Sequence, residues 1–91
     1  MSRWLTPELN ADTASAVSLV TLYADGAPEA AELAGRLLDE LTSRPDGIAR
    51  TIGGLVSLCS TLLVLHEFDT GMAPQTVLRR GAIAVQQAHS A

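Results

Sequence analysis

Few residues in this 91-residue chain can do chemistry: Cys59, His66, His89, and the two acids next to His66, Glu67 and Asp69. A metal ion or a general base needs several donors converging on one point. No second histidine or cysteine stands at ligand spacing from His66, and His89 is two residues from the end of the sequence. His66 therefore reads as a packed or hydrogen-bonded residue near a helix end. Cys59 has no basic neighbour to favour its thiolate. It lies in an apolar run, where a free cysteine behaves as a small hydrophobe, and as the lone cysteine it cannot form an internal disulfide. The chain contains no phosphate-binding glycine loop and no nucleophile elbow. These residues predict no catalytic, metal-binding or cofactor-binding site, no cofactor, and a protein that is not an enzyme.

The elements that carry these residues are more informative than the residues themselves. Between Arg50 and Glu67 lie sixteen residues without a formal charge, TIGGLVSLCSTLLVLH. This block is too hydrophobic for an ordinary surface helix. A membrane span needs about 20 apolar residues, and this one is shorter, contains glycines and hydroxyls, and is closed by charges at both ends. The expectation is a buried soluble helix with no membrane, in a cytoplasmic protein, since MSRWLTPELNAD lacks the apolar stretch of a signal peptide.

Punctuation divides the rest into four helical segments, predicting an all-α fold: a small bundle of about four helices around a long, central, apolar third helix. One domain is expected over residues 1–91, with 1–5 and 89–91 frayed. Thr6-Pro7-Glu8 combines a hydroxyl cap, a proline at the first helical position and an acid favoured by the dipole. That helix should run to about Ala24, before Asp25-Gly26; its valine and threonine content leaves a strand open as the alternative over 16–23. Ala27-Pro28-Glu29 opens a second helix ending near Ser43-Arg44-Pro45. Here Leu33, Leu37 and Leu41, widened by Ala30, Ala34 and Leu38, form an inward stripe opposite Glu29, Glu32, Arg36, Asp39 and Glu40. Pro45-Asp46-Gly47 starts the third helix, to about Phe68 or Asp69. Ile48, Ile52, Leu55, Cys59, Leu62 and His66 form one seam along it, at alternating spacings of four and three. Gly53, Ser57 and Thr61 occupy another face, read as a solvent side or a loosely packed one, with close approach of a neighbouring helix as the alternative. After Asp69-Thr70-Gly71-Met72, Pro74 begins a fourth helix ending near Ala88. Val77, Leu78, Gly81, Ala82 and Val85 are expected to face inward, and Arg79, Arg80, Gln86 and Gln87 outward.

Composition narrows the partners. Apolar residues make up 47% of the chain with only three aromatics, Trp4, Tyr23 and Phe68, so aliphatic and alanine side chains must build the core. All six cations are arginine, and ten acids set the net charge at −4. Such a chain repels phosphate backbones unless its arginines cluster, so nucleic acid is not the expected partner. Two amphipathic neighbours cannot cover helices this apolar, and a second copy is the simplest closed solution. Ile52, Leu55, Leu58, Cys59, Leu62 and Leu65 are the residues expected to make that homodimer. Glu29, Glu32, Asp39 and Glu40 form an acidic face suited to a further, unidentified protein partner. The leading reading is a non-enzymatic protein–protein interaction module: a small helical adaptor, inhibitor or regulator.

Two resemblances bear on the alternative, a small DNA-binding transcriptional regulator using Arg79 and Arg80. The segment LVLHEFDTGMAPQTVLRRGAIAVQQ looks like a helix-turn-helix, and its glycine turn before VLRRGAI resembles the two helices of ribbon-helix-helix repressors. It departs from the first in having Glu67 where a helix-turn-helix has a small residue before the turn. It departs from the second in having no basic strand before His66. Along its whole length, DGAPEAAELAGRLLDEL, RPDGIA, the leucine-rich helix and DTGMAPQTVLRR together resemble small helical proteins of actinobacteria and their phages. That resemblance implies helical organisation and carries no assigned activity.

Overall fold

A computed structural model describes residues 7–90, with side chains over 10–89. The described residues form four helices and no strand: α1 (Pro7–Asp25), α2 (Pro28–Ser43), α3 (Gly47–Thr70) and α4 (Pro74–Ser90). The fold is a small all-α bundle with a long apolar third helix, as the sequence pattern predicts. The chain divides into two compact units, residues 1–58 and 59–91. The expected Thr6 cap and the frayed stretch 1–5 lie outside the described residues, as does Ala91. α4 continues through His89 to Ser90, past its expected end.

The strand alternative for 16–23 gives way to helix. The hydroxyls there bond back to the preceding turn: Thr21 Oγ1 donates to the Val17 carbonyl at 2.6 Å, and Ser18 Oγ to the Ala14 carbonyl at 3.3 Å. α2 starts on Pro28 at its first turn, without a side-chain cap, and stops where Arg44 turns extended ahead of Pro45. Asp46 adopts φ +56°, a left-handed conformation that aspartate tolerates better than most residues. Its carbonyl accepts the Arg50 N–H at 2.9 Å, the first turn of α3.

The first unit, residues 1–58, holds α1, α2 and the first half of α3. Its core is assembled from small residues: Ala16 and Leu19 of α1 pack with Ala30, Ala34 and Leu41 of α2. Ala34 is fully enclosed, at 0% exposure. Alanines at the contact let the two helix axes approach closely. α3 joins through its small face. A Cβ on Gly54 would collide with the Asp12 backbone carbonyl of α1, and one on Gly47 would collide with the Leu41 carbonyl of α2. Both glycines are buried. Thr13 Oγ1 donates to Ser57 Oγ across the α1–α3 contact at 3.0 Å. Arg50 forks onto Asp12, with Nε 3.2 and 3.1 Å from Oδ1 and Oδ2 and Nη2 2.9 Å from Oδ1.

This shifts α3 from its expected orientation. The close contact is made by Gly47 and Gly54, joined by Ser57 from the face read as solvent or loose packing. Gly53 has open space beside it, and Thr61 is exposed. Ile48, Ile52 and Val56 lie outside the contact and are more than half exposed. The physical reason is distance. Backbone-to-backbone approach leaves no room for large side chains, so Gly47, Gly54 and Ser57 occupy the α3 side of the contact and the bulky aliphatic residues turn away. α2 contains a smaller correction of the same kind: Leu33, expected in the inward stripe, is half exposed, and the buried row runs through Ala30, Ala34 and Leu41.

In the second unit, residues 59–91, the end of α3 is joined to α4 by a three-residue link. Gly71, at φ +76°, stops α3 in the left-handed conformation. Its N–H donates to the Glu67 carbonyl at 2.7 Å, Thr70 Oγ1 donates to the His66 carbonyl at 2.7 Å, and the Met72 N–H donates to Thr70 Oγ1 at 3.2 Å. The turn is well satisfied. The helices are not covered: no described side chain between Cys59 and His89 is buried. The expected inward set of α4 is therefore corrected, because Leu78, Gly81, Ala82 and Val85 are exposed and only Val77 is half-buried.

Candidate interaction surface

The α3 residues expected to self-associate remain accessible. Ile52, Leu62 and Leu65 are more than half exposed, Cys59 is exposed, and Leu55 and Leu58 are half-buried. Cys59 and His66 correct the sequence reading, which had them packed. The Cys59 thiol reaches solvent. The His66 side chain is exposed, and only its backbone carbonyl has a role in the turn.

Sequence reasoning missed Phe68, whose side chain is 90% exposed. The helical register carries the signal. Leu62, Leu65 and Phe68 recur at three-residue spacing, on the face that Gly47, Thr51, Gly54 and Leu58 present earlier in α3. On α4, Leu78 and Val85 stand seven residues apart on one apolar face, both more than half exposed. By length and composition α3 can cross a membrane, and it is almost wholly unburied within the protein.

The four acids proposed as a docking face, Glu29, Glu32, Asp39 and Glu40, are all exposed on α2. Two of them are neutralised locally: Arg36 Nη2 lies 2.9 Å from Glu32 Oε1, and Arg44 Nη2 lies 2.9 Å from Glu40 Oε1. Such exposed i,i+4 pairs contribute about 0.3–0.5 kcal/mol to the helix. Glu29 and Asp39 form no ion pair among the described residues, so the uncompensated charge of this face falls to two. Leu33, half exposed among these acids, adds an apolar anchor inside a polar rim.

Arg79 and Arg80 are exposed on α4. Arg80 Nη1 lies 3.6 Å from the Met72 sulfur, which draws it back toward the turn. Among the described residues, no group of three histidine, cysteine, aspartate or glutamate side chains is placed to hold a metal. A cavity of about 20 Å³ in the first unit, beside Asp12, Leu19, Arg44 and Arg50, has room for a water molecule. Compared with protein-family models, curated proteins and solved structures, the chain matches none of them.

Proposed function

We propose that the protein is a non-enzymatic interaction module, working in the cytoplasm, that pairs with itself and docks onto another protein as a small adaptor, inhibitor or regulator. The observation that carries this reading is the exposure of large aliphatic side chains along α3: Ile48, Ile52 and Val56 in the first unit and Leu62 and Leu65 in the second stay more than half exposed. Isolated exposed leucines are ordinary on any surface, whereas several large aliphatic side chains exposed on one helix mark a contact surface. A second, separate contact is supported by Leu33 within the Glu29, Asp39 and Glu40 rim of α2, the anchor-and-rim arrangement that small docking sites use. Light scattering across a size-exclusion peak at micromolar concentration tests the self-pairing. The expected mass is twice 9.5 kDa, and a monodisperse 9.5 kDa species would remove it. Affinity capture from the native host tests the docking contact. One stoichiometric protein should be recovered, and it should be lost from the Leu33→Asp and Asp39→Arg variants.

The exposure of both Arg79 and Arg80 on one helix supports a second reading, a DNA-binding regulator. Two adjacent guanidiniums make a small patch for a chain of net charge −4. Retardation of genomic fragments at low salt, abolished by Arg79→Ala/Arg80→Ala, would establish it, and absence of binding at low ionic strength would eliminate it.

A further inference from the structure

We infer that the second copy is met by the end of α3 and by α4, the 59–90 segment, and that this segment completes its folding only in the pair. This rests on the self-pairing proposed above, and moves its centre from the middle of α3 toward Leu65, Phe68, Leu78 and Val85.

The first argument is that the segment has no core of its own. None of its described side chains is buried, and α4 is a 17-residue helix containing Thr76, Val77, Gly81, Ile83 and Val85, all weaker helix formers than alanine or leucine. Helices of this length are marginal in water unless an amphipathic face is packed. The face exists, with Leu78 and Val85 on one side and Arg79 and Arg80 away from it, and within one chain it is uncovered.

Charge selects the occupant. Residues 59–91 carry Glu67 and Asp69 against Arg79 and Arg80, a net charge of zero, so the whole net −4 resides in residues 1–58. A basic protein would be steered to the first unit, and an acidic one would gain nothing here. A patch carrying equal numbers of both signs is complementary to itself under a two-fold operation. Glu67, Asp69 and Arg79 have no ion-pair partner among the described residues, which leaves charges of both signs for a second copy. The neutral patch also argues against an anionic bilayer surface as occupant, because such surfaces recruit basic clusters and this segment has no lysine and only two arginines.

Area is consistent with the same occupant. Leu62, Leu65 and Phe68 of α3 and Leu78 and Val85 of α4, at 52–90% exposure, are five large apolar side chains per copy that a partner can cover, and a standard specific interface buries ~800 Å² per partner.

Hydrogen exchange of the full chain, measured from nanomolar to high-micromolar concentration alongside light scattering, tests the inference. Amides of α4 and the last turns of α3 should gain at least ten-fold protection as the dimer forms, while α1 and α2 keep theirs throughout. Phe68→Ser and Val85→Asp should each weaken the dimer at least ten-fold without changing protection in residues 10–45, and Ile52→Asp should weaken it less. A dimer that Ile52→Asp breaks and Phe68→Ser leaves intact would overturn this inference while preserving the self-pairing. A monomer at every concentration would overturn both. Protection of α4 that appears only with added phosphatidylglycerol vesicles would assign the face to a membrane and overturn the second copy.

Discussion

At the level of single residues, Gly54 fixes where α3 sits. Its buried position against the Asp12 carbonyl allows α1 and α3 to approach without side chains between them. Gly54→Ala should therefore lower stability to urea by about 1–3 kcal/mol through overpacking, although alanine is the better helix former. Gly53→Ala, one position away in open space, should be neutral or stabilising. Urea titrations of the two variants give opposite signs if the contact is as described. The Asp12–Arg50 fork braces the same contact. The Asp12 side chain is 18% exposed and the Arg50 side chain 46%, so the pair is screened on one side only. Arg50→Met should cost about 1 kcal/mol, at the upper end of surface pairs, because the fork is anchored by three contacts.

At the level of elements, the helix boundaries were legible and the faces were not, for a physical reason. Pro28, Pro74, Gly26 and Gly71 act locally, by fixing φ or permitting its positive range, so each can be read in place. Which side of α3 packs depends on its register against α1, 38 residues away at the Asp12–Arg50 pair, and an apolar stripe alone does not encode that register. A stripe of leucines and isoleucines normally marks the inward side. Here Gly47, Gly54 and Ser57 mark it, and the Thr13–Ser57 hydrogen bond and the Asp12 fork had no local signature. The acids on α2 could be read in advance as exposed. Their partial neutralisation was legible for Glu32 and Arg36 from i,i+4 spacing, and Glu40 with Arg44 obeys the same rule. At the α3 stop, Gly71→Ala should cost about 1–2 kcal/mol, since an L side chain is strained at φ +76°. The loss should appear first as faster hydrogen exchange around Thr70 and Met72.

For the whole molecule, the division of charge between the two units separates the two proposed contacts. The self-pairing surface is apolar and locally neutral, whereas the α2 docking face is acidic and belongs to the unit that holds all the net charge. Salt screens exposed charges over about 8–10 Å and acts little on buried apolar area. Raising sodium chloride from about 50 mM to about 500 mM should therefore weaken docking of a basic partner several-fold, mainly by slowing association. Over the same range the homodimer should hold its affinity or tighten, because lost contacts between Glu67 or Asp69 and Arg79 are worth little and the repulsion between two copies of net charge −4 is relieved. Analytical ultracentrifugation across the salt series reads the dimer, and surface-immobilised protein reads partner association. A dimer that dissociates as salt rises would mean that ion pairs hold it, and the apolar faces of α3 and α4 would then need a different occupant.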